Sequence, residues 1–228
     1  MKTLFAAIGF LLLSTCVFSQ QIGQITFSDA SNLSYISFIT DQGVLIRVTS
    51  EGKILEWGTE LQSMRSSTYY DPKLQPYLGR VEYYGPEADS AYRGKVKSIG
   101  TCNITYFGHY DEAIKVGKVK SVGNQLLDYY TSFDNAAYRG KLRFVGSSTL
   151  EYYSSLDDEA YRGKLKTVGN TPITYYSTFD DKLIKGKIKS IGTAAYTWYT
   201  SFDRSELRGA MKTGAYRLNV GSITFILR

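Results

Sequence analysis

Apolar, aromatic and basic positions recur with a fixed spacing along most of the chain. The recurring segments are GKVKSIG from Gly94, GKVKSVG from Gly117, GKLRFVG from Gly140, GKLKTVG from Gly163, GKIKSIG from Gly186 and a divergent GAMKTG from Gly209. Each step is 23 residues. A fixed period of this length indicates one supersecondary unit that is stacked on copies of itself.

Aromatic pairs and aspartates keep the same register. The pairs are Tyr83–Tyr84, Tyr106–Phe107, Tyr129–Tyr130, Tyr152–Tyr153, Tyr175–Tyr176 and Trp198–Tyr199, and the aspartates are Asp111, Asp134, Asp157, Asp180 and Asp203. Upstream the period fails, because Gly79 and Gly94 are only 15 residues apart. We therefore expect a strand or turn to be missing at that point.

Within one unit, two segments have strand character: KLKTV after Gly163, and ITYYSTF from Ile173. Both are rich in residues that favour extended backbone. Residues 169–172, with the sequence GNTP, form a turn cluster between them, so each unit is predicted to be a β-hairpin. Strict alternation along the first strand places Leu165 and Val168 on opposite faces.

The segment DDEAYRGK, residues 157–164, connects one hairpin to the next. Asp157 is suited to capping a turn, Arg162 suits its end, and Gly163 suits a left-handed position just after it. We predict a single helical or 3₁₀ turn here. Because capping accounts for these residue types, the acids need no catalytic role.

These elements predict an all-β protein. It is an antiparallel meander of about 23-residue β-hairpin repeats joined by single helical turns, and it forms an elongated or curved sheet; a closed barrel or propeller-like array is the alternative. Tyrosine rings and lysine stems are able to cover both faces of a single layer. The predicted regions are an irregular N-terminal β region at 20–82, hairpin repeats at 83–214 and a C-terminal capping strand at 215–228. The similar segments GQITF at 23–27 and GSITF at 221–225 either cap the array or pair with each other.

The first 19 residues have the pattern of a secretory signal peptide, with Lys2 ahead of an apolar run at 4–13. This run is shorter than a membrane span requires, so no transmembrane segment is predicted. Cys16 leaves lipidation as an alternative. We expect an exported protein in the periplasm, at the cell surface or outside the cell.

The charge pattern excludes one class of partner. The net charge is +6, but lysines and arginines are spread at regular intervals along the chain. No basic block is present, so nucleic acid is not an expected partner. After signal-peptide removal Cys102 is the single cysteine, which leaves no pair for an intramolecular disulfide.

Candidate catalytic chemistry is sparse. His109 is the one histidine in the chain, which excludes a histidine-rich metal cluster, and we expect it to be a solvated surface residue. Acid pairs such as Asp157–Asp158 offer two or three oxygens, whereas calcium takes six to eight, so no cofactor is expected and calcium is a remote alternative. A hydrolase with a site in the irregular region 28–82 is also an alternative, with Glu51, Glu56 or Glu60 as its acid.

The aromatic rows suggest a binding function. Flat π-faces suit the C–H groups of sugar rings, and arginines in the YRGK turns add donors for anionic glycans. The candidate ligand-binding residues are Tyr106, Tyr129, Tyr152, Tyr175, Trp198, Arg139 and Arg162. The expected function is therefore structural or binding, without enzymatic activity, toward a glycan or a protein surface. A protein-interaction or self-associating array is the alternative.

The units also resemble the YD repeats of Rhs-type and teneurin-like proteins. The resemblance covers residues 83–214 and is carried by Phe133-Asp134, Phe179-Asp180, Phe202-Asp203, Gly140-Lys141-Leu142 and Gly186-Lys187-Ile188. This chain has Phe or Leu where tyrosine is usual, and a longer gap between aspartate and glycine. The resemblance implies a β-hairpin array with a scaffolding or surface role, and it indicates no active site.

Overall fold

The computed structural model describes residues 21–60 and 73–228. The predicted signal peptide and Cys16 therefore lie outside the described residues. The described part is all-β and contains no helix, and accordingly none that is long and apolar enough to cross a bilayer. The predicted fold class is confirmed, and the sheets are open: the described strands form no closed barrel.

Nineteen strands make up the described fold. They are β1 (Gln21–Ser28), β2 (Asn32–Ile39), β3 (Leu45–Val48), β4 (Ile54–Gly58), β5 (Val81–Tyr83), β6 (Val96–Ile99), β7 (Cys102–Tyr106), β8 (Val119–Val122), β9 (Gln125–Tyr129), β10 (Leu142–Val145), β11 (Ser148–Tyr152), β12 (Leu165–Val168), β13 (Thr171–Tyr175), β14 (Ile188–Ile191), β15 (Ala194–Ala195), β16 (Thr197–Trp198), β17 (Met211–Thr213), β18 (Arg217–Val220) and β19 (Ile223–Leu227). The eleven strands from β5 to β15 form one antiparallel meander, the repeat sheet, and β16 pairs with β17. A six-stranded sheet, the terminal sheet, has the order β18-β19-β1-β2-β3-β4.

The repeat units that begin at Gly94, Gly117, Gly140, Gly163 and Gly186 are tight hairpins, as predicted. The divergent unit from Gly209 is not, because β17 pairs with β16 and β18 joins the terminal sheet. Between β12 and β13 the loop is Gly169–Asn170, and Val168 pairs with Thr171. Gly169 has a φ of +54°, whereas the φ of Asn170 is not positive. A single positive φ at the first loop residue is the requirement of a type II′ turn, which favours glycine there.

A β-bulge corrects the predicted alternation of side chains. Glu151 pairs with Thr167 whereas Tyr152 pairs with Leu165, so Lys166 is an extra residue in β12. The bulge brings Leu165 and Val168 to the same buried face, although strict alternation separates them.

The connection between units is a single hydrogen-bonded turn. The amides of Tyr161 and Arg162 both donate to the carbonyl of Asp158, at 3.1 and 2.9 Å. Gly163 follows with φ of +72°, the left-handed conformation predicted for it. The turn does not extend into a helix.

The two chain ends pair with each other. β1 and β19 run parallel, with Ile25 opposite Phe225 and Gln24 opposite Thr224. Of the two alternatives for the similar end segments, the described structure therefore has pairing, and the pairing takes place inside the terminal sheet.

The terminal sheet packs on one face of the repeat sheet, and their buried side chains form one continuous core. Ala30, in the β1–β2 turn, accepts a bond from the Ile188 amide at 2.8 Å. Ser50, in the β3–β4 turn, accepts one from the Leu142 amide at 2.7 Å. The fold is thus two-layered, and the idea that tyrosines and lysines cover both faces of a single layer is wrong.

The β1–β2 turn is held in a strained conformation by these contacts. Ala30 has φ of +49°, a left-handed value that costs a residue with a Cβ about 1–2 kcal/mol. Its amide donates to the Arg228 carbonyl and its carbonyl accepts from the Ile188 amide, each at 2.8 Å. The turn therefore joins the C-terminus and the repeat sheet at one residue.

Substitution of Phe225 tests whether the paired chain ends stabilise the whole molecule. Phe225 in β19 is fully buried. We expect Phe225→Ala to lower the free energy of unfolding by about 3–5 kcal/mol, because it leaves a cavity in the shared core. Phe202→Ala is the matched control, since Phe202 is 92% exposed and its loss should cost less than about 0.5 kcal/mol. Urea unfolding measures both, and equal losses would contradict this account of the core.

Candidate functional site

The five aromatic residues predicted to bind ligand lie in the core. Tyr106, Tyr129, Tyr152, Tyr175 and Trp198 are between 0 and 8% exposed. Their rings point to the face that the terminal sheet covers, so they do not form the exposed row that the sequence analysis expected. The physical reason is the second layer, which the repeat pattern alone does not reveal.

Most of these rings also bond the backbone of their own hairpin. The Tyr129 hydroxyl donates to the Val119 carbonyl at 2.6 Å, and the Trp198 Nε1 donates to the Ile188 carbonyl at 2.8 Å. Tyr106 and Tyr175 make the same bond to a residue ten positions earlier. The buried ring is therefore a structural element of the unit, which explains its regular recurrence.

The second ring of each pair links one unit to the next. Tyr84, Tyr130, Tyr153 and Tyr176 are partly buried, and each hydroxyl donates to a carbonyl 20 residues later, at 2.9–3.0 Å. The tyrosine of the YRGK turn joins them: Tyr161 lies 4.6 Å from Tyr153 and 6.3 Å from Tyr175 between ring centroids. Aromatic contacts at such distances are stabilising beyond their buried area.

Lysine side chains make a second link between units. Lys95 Nζ donates to the Gly117 carbonyl at 2.5 Å and lies 5.2 Å from the centroid of the Tyr106 ring. The same pair of contacts recurs in the next four units, from Lys118, Lys141, Lys164 and Lys187. The lysine of each GK dipeptide therefore binds the following repeat.

The acids of the connecting segments act as acceptors for backbone amides. Asp157 accepts from the Ser154 amide at 2.5 Å and its hydroxyl at 2.8 Å. Asp158 accepts from the Ala160 amide, and across the unit boundary from the amide and hydroxyl of Thr178. Hydroxyl and backbone bonds from Ser154 lower the pKa of Asp157, and the bond from the Ala160 amide is the largest cause of the lowered pKa of Asp158. Asp158 therefore caps the connecting turn, in place of the predicted Asp157, whose carboxylate binds the earlier residue Ser154 instead.

The single histidine and the remaining cysteine have structural environments. His109 is exposed, and its Nδ1 lies 2.7 Å from Asp89. Bonds from the backbone amides of Ala91 and His109 hold the pKa of Asp89 at about 2. Cys102 is a free, buried thiol whose pKa is raised by burial to about 11, so it is a poor nucleophile at neutral pH. Within residues 21–60 and 73–228, no three His, Cys, Asp or Glu side chains are grouped so as to hold a metal.

The most exposed apolar side chains of the array lie elsewhere, at the tips of the connecting turns. We call this set the turn row; its exposed fractions run from 92 to 98%, and its members are Tyr110, Phe133, Leu156, Phe179 and Phe202. They are spaced by 23 residues, four positions after each buried ring. The Phe133 amide donates to Thr131 Oγ1 at 3.3 Å, and Leu156, Phe179 and Phe202 have the equivalent bond, so the turn fixes where each side chain starts.

The arginines predicted to bind ligand lie on these same turns. Arg139 and Arg162 are exposed. Their Nη2 atoms lie 3.5 and 3.4 Å from the carbonyls of Asp134 and Asp157, the residues that follow Phe133 and Leu156. The structure therefore brings both arginines to the turn row and away from the buried rings. The signal for the turn row was present in the repeat, but the periodicity does not distinguish rings that face the core from rings that face solvent.

The irregular region contains a cleft that breaks the repeat symmetry. It has a volume of about 490 Å³ and lies between the β3–β4 hairpin and the first two repeat units, with Glu51, Trp57, Lys95 and Lys118 among its lining residues. Ligand pockets commonly have volumes of about 300–1,000 Å³.

The three acids suggested for a hydrolase separate in the structure. Glu56 pairs with Arg47 at 2.5 Å, and Glu60 accepts a bond from Gln24 at 3.1 Å and lies 3.6 Å from Arg217. Glu51 is the one acid among the residues that line the cleft. Burial acts to raise the pKa of Glu51, but hydrogen bonds from the Ser50 hydroxyl and the Glu51 amide outweigh it and lower the pKa. Glycoside hydrolysis by an acid pair needs two carboxyl groups, one of them with a raised pKa, so this geometry does not favour it.

Searches against protein-family models, curated proteins and solved structures find no match to this chain. The resemblance to YD repeats therefore stays a prediction.

Two tyrosines of the core provide a matched test of the hydroxyl bonds. Tyr129→Phe removes the bond to Val119 and leaves a buried carbonyl without its partner, so we expect a loss of about 1–2 kcal/mol in the free energy of unfolding. The Tyr152 hydroxyl is buried and meets no hydrogen-bond partner among the described residues. Tyr152→Phe should therefore be neutral or stabilising. Chemical denaturation measures both, and a larger loss for Tyr152→Phe would overturn the assigned role of the hydroxyl.

Lys164 should make stability depend on pH in the alkaline range. Burial lowers the pKa of Lys164 to about 8, whereas an unfolded lysine titrates near 10.4. Between these values the unfolded chain binds more protons, so the contribution of this residue to stability rises with pH. We expect the gain in unfolding free energy from pH 7.5 to 9.5 to be smaller in Lys164→Met than in the parent. Lys166→Met is the control, because Lys166 is exposed on the same strand; an unchanged pH dependence in Lys164→Met would contradict the assignment.

Proposed function

We propose that this chain is a non-enzymatic exported binding protein whose repeat array holds an extended glycan along the turn row. The observation that carries the proposal is the near-complete exposure of five large apolar side chains at identical positions of successive turns. Large apolar side chains that recur on one exposed surface are typical of an interaction site. The buried rings and lysine links between units make the array a rigid support for that row.

The spacing of the row supports a chain-like ligand. Identical residues of adjacent units are separated by two strands, which corresponds to about 9–10 Å. An extended polysaccharide repeats its disaccharide at a comparable length, so one sugar face can meet one ring in each unit. Phe133, Phe179 and Phe202 present aromatic faces of the kind that pack on the C–H groups of sugars.

The charged groups beside the row suit a ligand rich in oxygen. Arg139 and Arg162 lie on the turns that carry Phe133 and Leu156, and a guanidinium has five donors. The aspartates of the same turns are occupied as acceptors of backbone amides. The arginines therefore remain as donors for hydroxyl or acidic groups of the glycan.

Self-association through the turn row is a second candidate. Leu156, at the centre of the row, is 94% exposed and aliphatic, and it lacks the flat face that stacks on sugars. An aliphatic side chain among aromatic ones suits contact with an apolar protein surface, for which a second copy of this chain is the simplest source.

The double variant Phe133→Ala/Phe179→Ala tests the glycan proposal. On a glycan array and in pull-downs with insoluble polysaccharides, we expect each lost ring to weaken binding roughly tenfold, which equals about 1.4 kcal/mol. Leu126→Ala is the matched control, because Leu126 is 66% exposed on a repeat strand and lies outside the row.

Light scattering on the same proteins separates the two candidates. A parent that binds glycan as a monomer and loses binding in the double variant supports the glycan role. A double variant that stays folded and binds every glycan as well as the parent contradicts it. A parent that self-associates without glycan binding, and becomes monomeric in the double variant, supports self-association instead.

A further inference from the structure

The cleft beside the first repeat units is lined by both apolar and cationic side chains. Ile54, Trp57, Val96 and Tyr106 supply the apolar lining, and three lysines reach it: Lys53, Lys95 and Lys118. Glu51 is the one acid among the lining residues, so positive charge is in excess. A concave site with aromatic walls and a few charged groups is typical of small-molecule binding.

Lys95, in the cleft, has fewer hydrogen-bond acceptors than Lys164, the equivalent lysine of a later unit. Lys164 Nζ donates to both Ser31 Oγ at 2.5 Å and the Gly186 carbonyl at 2.6 Å, because the β1–β2 turn covers that unit. Within the described residues, Lys95 Nζ meets one acceptor, the Gly117 carbonyl. An ammonium has three N–H donors, so Lys95 retains capacity for an anionic group in the cleft.

Electrostatics at the cleft also favour an anion. Burial lowers the pKa of Lys95, and the nearby charge of Lys53 lowers it further. Burial also lowers the pKa of Lys118, where Glu51 acts in the opposite direction and Lys53 in the same direction. A bound carboxylate would offset this repulsion with charge-assisted hydrogen bonds. The fold already holds the two ammonium groups in place, so a bound anion does not have to order them.

Glu51 adds a second recognition element. One carboxylate oxygen accepts from the Ser50 hydroxyl at 2.6 Å, and the lowered pKa keeps the group ionised at neutral pH. An ionised carboxylate is an acceptor only, so it suits the hydroxyl groups of a ligand and disfavours a second anion beside it. The combination of cations, one acceptor and aromatic walls selects a ring that bears both a carboxylate and hydroxyl groups.

We propose that this cleft is a binding site for a small sugar acid, with its carboxylate on Lys95 and Lys118, its hydroxyl groups toward Glu51 and its ring against Trp57. The cleft volume accommodates one or two sugar rings. The site is independent of the turn row, which lies on the turns that connect the repeat units.

The test is binding of D-galacturonate to the full mature chain, followed by Trp57 fluorescence and by calorimetry, with D-galactose and inorganic phosphate as comparison ligands. We expect D-galacturonate to bind and to perturb the fluorescence, and we expect both comparison ligands to bind at least tenfold more weakly. Trp198, the other tryptophan, is buried in the core, so the signal change is assigned to the cleft by its loss in Trp57→Phe.

Lys95→Met and Lys187→Met form a matched pair. Both variants remove a lysine that bonds the glycine carbonyl of the next unit and lies over an aromatic ring, but only Lys95 lines the cleft. We expect Lys95→Met to lose D-galacturonate binding by fivefold or more and Lys187→Met to retain it. Lys53→Ser should weaken binding without affecting the links between units.

Several outcomes would overturn the proposal. They are no binding of D-galacturonate, equal binding of D-galactose or of phosphate, or equal affinity in Lys95→Met and Lys187→Met. The variant Phe133→Ala/Phe179→Ala should bind D-galacturonate like the parent. Its behaviour therefore distinguishes failure of the cleft proposal from failure of the turn-row proposal.

Discussion

The structure depends on hydrogen bonds that side chains of one repeat unit donate to backbone carbonyls of the next unit. Lys95 Nζ binds the carbonyl of Gly117, and the Tyr84 hydroxyl binds the carbonyl of Ile104. Bulges and left-handed glycines leave carbonyls outside the regular strand ladder, and a buried carbonyl without a partner is costly. Long side chains from the neighbouring unit supply the partners. A unit is therefore complete only beside another copy of itself, which is the physical reason for the strict 23-residue spacing.

This constraint accounts for most of the conspicuous residues. Tyrosine, lysine and aspartate recur because each has a fixed backbone partner, as Tyr129, Lys118 and Asp134 illustrate. The side chains that have no such partner stand out against them. The turn row recurs with the same spacing, yet its members are nearly fully exposed and serve no evident packing purpose. The residues with backbone partners therefore recur for structural reasons, whereas the turn row is the candidate binding surface.

The terminal sheet breaks the symmetry of the array. Its turns bond the repeat sheet at particular units, through Ala30, Ser50 and Gly52. Where the β1–β2 turn lies, the ammonium of Lys164 has a second acceptor. At the first units the equivalent lysine lines a cleft instead. The same lysine position is therefore covered by the terminal sheet at Lys164 and lines an open cleft at Lys95. The difference arises from where the turns of the terminal sheet lie.

The sequence by itself determined the all-β class, the hairpin unit and its turn glycines, because each of these depends on residues that are close together in the chain. Gly163 illustrates this, since it has the positive φ that its place after the connecting turn predicts. Only the tertiary structure decided which face is buried. That face is covered by strands from both chain ends, with Phe225 and Ile25 paired across some 200 residues. The repeat period specifies the hairpin of each unit. Whether a residue such as Tyr129 is buried or one such as Phe133 is exposed depends on whether the terminal sheet packs against that face.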